Sequence, residues 1–348
     1  MWAMVRKEFA QLRRDRRTLA MLVALPVLWL VVFGYAASFD VDEFTTVVVG
    51  PAATRTAARL PDVFRVVERL PDEGRPAAVG ALRDGRAVVG VVAGARPAVL
   101  LDGSQLFAAR AAQQVLERAP RSPPVRVLFN PDLETPPVMV PAIAGMILVF
   151  VGTVVTSLGV VRERQMGTLE QLAVMPFRPR EVFVGKIAPY FLVATVDLAV
   201  IVVVGTVLFD VPFRGDPGVL ALGSLLFLFV TLGVGVLISG VSQNQGQAIQ
   251  LALMTLLPQV LLSGMIFPVD AMPGGIRWIA YVLPLTYFVE IARGLMLRGE
   301  AVTDLWQPLG MLALLGAVTF GLAVVRFRAD LAPSVRRAGR HAAAARAA

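Results

Sequence analysis

The sequence predicts an all-α polytopic membrane domain of six transmembrane helices plus an outer re-entrant hairpin. A small α/β extracytoplasmic domain is inserted between the first and second helices. Three observations predict this class. First, 56% of the 348 residues are hydrophobic and only 17% are charged, whereas soluble domains sit near 45–50% and about 25%. Second, the apolar excess is gathered into blocks of about 18–25 residues, the length that crosses a hydrocarbon core. Third, Lys and Arg crowd the segments that six crossings place on one side, the signature of a cytoplasmic face.

The apolar blocks are Leu19–Ala37, Val138–Val161, Ile187–Phe209, Val219–Val241, Ala248–Phe267 and Pro308–Val325. None holds Lys or Arg, and Asp197 is their one acid. A further apolar stretch, Ile276–Leu297, carries Arg277, Glu290 and Arg293, and the outer hairpin is expected over 276–298. It is too polar for a lipid-facing span and suits a re-entrant element covered by protein. The first block follows "RRDRR" and precedes "YAAS". It reads as a retained anchor, because its apolar core is longer than that of a signal peptide.

These blocks divide the chain. Residues 1–17 are expected to form a cytoplasmic amphipathic helix, 18–38 the first span and 39–137 the outer domain. Residues 138–328 hold spans two to six, with a cytoplasmic helix at 163–178, and 329–348 are a basic cytoplasmic tail expected to be disordered. Both termini are then cytoplasmic. In the outer domain twelve Arg balance twelve acids, so the net charge of +8 belongs to the cytoplasmic side. Charge that flanks membrane spans points to anionic lipid and away from nucleic acid.

Within the outer domain "TTVVVG", "RVVERL", "AVVGVV", "PAVLLD" and "VRVLF" read as strands. "RPAAVGALRDG" reads as a short helix ending at Gly85, and "SQLFAARAAQQVLERA" as an amphipathic helix with Ser104 as N-cap. Cysteine is absent, and the single histidine, His341, lies in the Ala/Arg tail. Thiol chemistry and a histidine-centred metal site or catalytic dyad are therefore excluded. "VGKI" has a Gly-Lys pair but neither the upstream Gly nor the Ser/Thr of a phosphate-binding loop, so the chain carries no ATPase signature.

Val160–Lys186, "VVRERQMGTLEQLAVMPFRPREVFVGK", joins the second and third spans. Thr168 is a suitable N-cap, Leu169 and Leu172 form an apolar ridge with Val174 or Met175, and Pro176 and Pro179 are stops. The result is a helical knob that either merely connects two spans or transmits motion to something that grips it. Asp197, mid-span, is either a site in the transport path or a hydrogen-bonded packing acid. Glu290 and Arg293, three residues apart, are placed to pair. Trp278, Tyr281, Tyr287 and Trp306 form either an aromatic belt at the outer interface or the lining for an aromatic or lipid-like substrate. Gly233, Gly235 and Gly240 favour close helix packing.

"RERQMGTLEQLAVMPFRPREVFVGK" closely resembles the segment between the second and third spans of ABC-2 type transporter permeases. "FNPDLETPPVMVPAIAGMIL" and "LLSGMIFPVDAMPGGIRWIAYVLPLTYFVEIARGLMLRG" resemble two further family segments, in the same order. One span, a large outer domain and five more spans is the arrangement of the drug-export branch. The resemblance implies the membrane subunit of a bacterial inner-membrane exporter for hydrophobic drugs or lipid-like compounds. It implies a homo- or heterodimer of permease chains, each bound to a cytoplasmic ATPase subunit. ATP and Mg would belong to that subunit, and this chain would bind no cofactor or metal. The coupling helix would comprise Arg164, Gly167, Thr168, Leu169, Glu170, Gln171 and Leu172. The interfacial connecting helix would include Lys7, Phe9 and Arg13. The outer gate would include Pro284, Thr286, Tyr287, Glu290 and Arg293, with Asp197 in the pathway. Glycan export, or a receptor that acts on an envelope partner through the outer domain, are the competing expectations.

Overall fold

The structure is a computed structural model that describes residues 43–118, 123–167, 179–269 and 272–347, and residues 6, 20 and 27 singly. Lys7, Phe9, Arg13 and residues 168–172 lie outside the described residues, as does most of the expected first span.

A five-stranded sheet opens the described chain. Its strands are β1 (Phe44–Val49), β2 (Phe64–Leu70), β3 (Val89–Val92), β4 (Ala98–Asp102) and β5 (Val125–Leu128), in the order β2-β1-β3-β4-β5. β3 and β4 pair antiparallel, and every other pair is parallel. The helices are α1 (Ala53–Ala57), α2 (Arg75–Arg83) and α3 (Leu106–Glu117). Side chains alternate across a strand, so each face builds its own core. Val47, Val49 and Leu100 bury against Ala78, Ala81 and Leu82 of α2. Val48, Val89 and Leu101 bury against Leu106, Ala109 and Ala112 of α3. Helices on both faces explain why the inner strands β3 and β4 are nearly continuous apolar runs, whereas the edge strands β2 and β5 carry exposed charges. All five expected strands and both expected helices are present, and α1 is additional. The expected cap is not formed: α3 starts at Leu106, and Ser104 serves a different purpose described below.

The elements that follow in the described residues are helices. α4 runs Thr135–Gln165, with a π-helical segment at Phe150–Val155. Then come α5 (Pro179–Leu208), α6 (Pro217–Val241), α7 (Gln245–Leu262), α8 (Gly274–Ala280), α9 (Pro284–Arg293) and α10 (Trp306–Ala347). Pro179, expected as a break, is the first residue of α5. Asp216 and Asn244 accept from the amides of Gly218 and Gln247 and cap α6 and α7.

Among the described residues four helices are long and apolar enough to cross a membrane: 135–165, 188–208, 217–241 and 306–326. The pair α8 and α9, bent by 74° and extended to Arg298, makes up to five if it counts as one span. α7 falls short because Gln245, Gln247, Gln250 and Gln259 dilute its apolar residues. The tail expected to be disordered is helical through Ala347; Ala and Arg, which dominate it, are strong helix formers.

The membrane core joins α4, α6, α9 and α10. Phe227 stacks on Phe288 at 4.6 Å, surrounded by Leu148, Leu228, Leu232 and Leu285. Gly235 lets α6 meet the π segment of α4: a Cβ there would lie 2.6 Å from the Gly152 carbonyl. The expected small-residue contact is therefore real.

Candidate functional site

Two ends of the bundle carry the functional candidates. At the end nearer the sheet, Pro284 supplies the first turn of α9 after an extended Leu283. Leu285, Thr286, Tyr287 and Phe288 then bury. The Thr286 hydroxyl donates to the Ala280 carbonyl at 2.7 Å and the Tyr287 hydroxyl to the Tyr281 carbonyl at 2.6 Å. Both bonds close the bend between α8 and α9, where backbone carbonyls would otherwise be left without partners. Tyr287 thus leaves the expected aromatic belt, with 6% exposure, while Trp278, Tyr281 and Trp306 are at least half exposed.

The expected Glu290–Arg293 pair is not formed. Arg293 instead donates to three carbonyls: Nε to Val138 at 3.3 Å, Nη1 to Gly264 at 3.0 Å and Nη2 to Met265 at 2.6 Å. One guanidinium therefore ties α9 to the start of α4 and to the loop after α7. A planar fork of donors suits several carbonyls better than a single carboxylate partner on its own helix. Glu290 remains exposed and lines a cavity of about 170 Å³ with Phe107, Ser263, Met265, Thr286 and Arg293.

At the opposite end α4 stops at Gln165, and Gly167 turns the chain with φ +74°. Arg164 Nη1 donates to the carbonyls of Ser239 (2.9 Å) and Ser242 (3.1 Å), and Arg326 Nη2 to that of Gly240 (2.9 Å). These are the last carbonyls of α6, where cations are favoured. Gln245 Nε2 reaches Gln165 Oε1 at 3.1 Å. The base of the knob is thereby fixed to the bundle before residue 168.

Asp197 stands apart from both ends. It is half-buried on α5 and makes no hydrogen bond or ion pair with a described residue. Its helix turns Leu192, Val193, Val196, Val200 and Val203 outward. The structure brings Thr286, Tyr287 and Arg293 together and leaves Asp197 out.

Sequence reasoning missed a buried polar cluster that joins the sheet domain to the bent pair. Arg298 is the last residue of a π-helical turn, Gly294–Arg298, and precedes Gly299 at φ +62°. Its Nε donates to Glu300 Oε1, and its Nη1 donates to Ser104 Oγ at 3.1 Å and lies 3.9 Å from Asp102 Oδ2. Ser104 Oγ donates to Asp102 Oδ1 at 2.6 Å, and the Ser104 amide donates to the same oxygen at 2.9 Å. Burial pushes the Asp102 carboxyl up, against the opposing pull of Arg298 and Ser104. "LDGS" and "LRGE" carry the sequence signal, charges beside a Gly at the end of an apolar run. Nothing in the sequence pairs them across 194 residues.

Residues 91–325, more than half of the chain, match the family described as ABC-2 family transporter protein. The chain belongs to the ABC-2 transporter family. Two of its relatives match it over most of their length. It is 27% identical to the probable multidrug ABC transporter permease YbhR of Escherichia coli, over 94% of this chain and 98% of that one. It is 28% identical to YbhS, described in the same words, over 86% and 90%. The linearmycin resistance permease protein LnrN of Bacillus subtilis is 24% identical over 53% and 49%. The α/β domain, the apolar helices and the bent pair are thus features of an ABC-2 transporter protein.

Proposed function

We propose that this chain is the permease subunit of an ATP-driven exporter, which moves hydrophobic drugs or lipid-like compounds out of the cytoplasm or inner leaflet. The names of YbhR, YbhS and LnrN favour drugs as cargo. ATP is hydrolysed by a separate subunit, and two permease chains pair. With Ala20 and Val27 helical within the first apolar block, six spans put both termini inside. The α/β domain and the bent pair then lie outside, and the segment after Gln165 lies in the cytoplasm. Glu163–Gln165 form the last turn of α4, so the coupling helix expected over 163–178 is the part that follows Gly167, with Leu169 and Glu170 in it.

One observation carries the reading: α4 is continuously helical from the α/β domain to Gln165, where Arg164 locks it to α6. A single helix of about 45 Å, with one π turn in it, leads from the outer domain to the base of the knob. A push on the knob is therefore delivered to the bundle. ATP binding acts by favouring one bundle state over another.

Co-purification tests this. The tagged chain, extracted in mild detergent from its host, is expected to bring down an ABC ATPase. A Leu169→Asp, Glu170→Arg variant is expected to lose it. Retention of the ATPase by the variant would remove the coupling assignment.

A further inference from the structure

The Arg298 cluster crosses from one folded unit to another. Asp102 ends β4, and Ser104 lies in the turn before α3; both are fully buried. Arg298 and Glu300 belong to the bent pair and its exit, with 7% and 5% exposure. Glu300 also packs over Gly294, which has no side chain to displace it.

Buried charge is costly unless each partner is held by others. Here the guanidinium meets a carboxylate on its own segment and a second carboxylate and a hydroxyl on the α/β domain. The geometry on both sides is fixed independently. On the domain side, Asn130 Nδ2 donates to the Gly103 carbonyl at 3.3 Å and to the Glu134 carbonyl at 2.9 Å, and its Oδ1 accepts from the Glu134 amide at 3.1 Å. A Cβ on Gly103 would fall 2.6 Å from the Asn130 carbonyl oxygen, so only glycine admits this turn. On the other side, Arg214 Nη1 donates to the Leu297 carbonyl at 2.8 Å, and its amide to that of Met296 at 3.3 Å. The π turn also matters. It adds a residue to the helical turn and rotates the side chains beyond it about the helix axis. Arg298 is its last residue, aimed at Ser104.

We propose that Arg298 is a positioning residue that locks the α/β domain to the bent pair α8–α9, so that the two move as one body. Asp102, Ser104 and Glu300 are its seat. Where the bent pair acts as an outer gate, which rests on the permease reading above, the domain's orientation is set by the gate's state. Anything that grips the domain then biases the gate through Arg298, with no contact at α8–α9 itself.

The chain has no cysteine, so spin labels can be placed without background. Gln114→Cys on α3 and Trp278→Cys on α8 are both exposed positions. Pulsed electron–electron spin resonance on the full chain in lipid nanodiscs would read the distance between them. The expected result is a single narrow distribution in the parent, at least twofold broader in Arg298→Gln, and narrowed again in Arg298→Lys, which retains the charge. Among the described residues, Ser104→Ala removes the one hydrogen bond that crosses directly between the two units. It is expected to broaden the distribution as well and serves if Arg298→Gln does not fold. An unchanged width and centre in Arg298→Gln, or in Ser104→Ala where that variant stands in, would overturn the proposal. The measurement needs no ATPase, so its failure leaves the exporter reading standing, and loss of that reading leaves the lock intact.

Discussion

Arginines tie this protein together at both ends of its bundle, and they are held in two ways. Arg293 and Arg164 serve carbonyls, whereas Arg298 serves carboxylates and a hydroxyl. The difference has a consequence in pH. Asp102 has a folded-state pKa above its unfolded value, because burial disfavours the ionised form. A carboxyl shifted in that direction contributes stability below its unfolded pKa and loses it as pH rises through the folded pKa. Asp102 is faced by Arg298 and Ser104, with Glu300 on the far side of the guanidinium. The expected outcome is a melting temperature that falls as pH rises from the acidic range, with a slope reduced in Asp102→Asn. Asn keeps an oxygen for Ser104 and removes the titration. Thermal unfolding across a pH series checks it, and an unaltered slope would show that Asp102 does not titrate there.

At the scale of elements, α6 is the hub. It packs on α4, α9 and α10, and it does so by small residues as much as by Phe227 and Leu228. Gly235 stands over the carbonyls of the α4 π segment, where the ladder is loosened. Gly235→Val is expected to force the two helices apart at a cost of about 1–3 kcal/mol. Gly310→Ala, where a Cβ meets nothing within 4 Å, is expected to be neutral or slightly stabilising. Survival of monodisperse protein after a heating series would read both. A loss in Gly235→Val no greater than that in Gly310→Ala would show that the α6–α4 contact does not set the effect.

At the scale of the whole molecule, the α/β domain and the base of the knob lie at opposite ends of one continuous helix. If the charge asymmetry orients the chain as expected, a membrane-impermeant maleimide will label Arg83→Cys in intact cells but not Met166→Cys. Both side chains are exposed, and the reverse pattern would invert the topology. Hydropathy and charge made the membrane class, the apolar helices and the α/β insert legible, because burial in lipid or in a two-layer core imposes composition and period on local stretches of chain. The sequence determined which segments are helices and strands, that thiol chemistry is absent, and which family the chain resembles. The tertiary structure alone decided the partners of the charged residues. Glu290 and Arg293 sit at pairing distance along a helix, yet the guanidinium finds the stranded carbonyls of two other segments. Ser104 looked like a helix cap and became the seat of Arg298. Such partners are chosen by where separate elements come together and by the need to satisfy every buried polar group there. That condition has no period and leaves no mark in any one stretch of sequence.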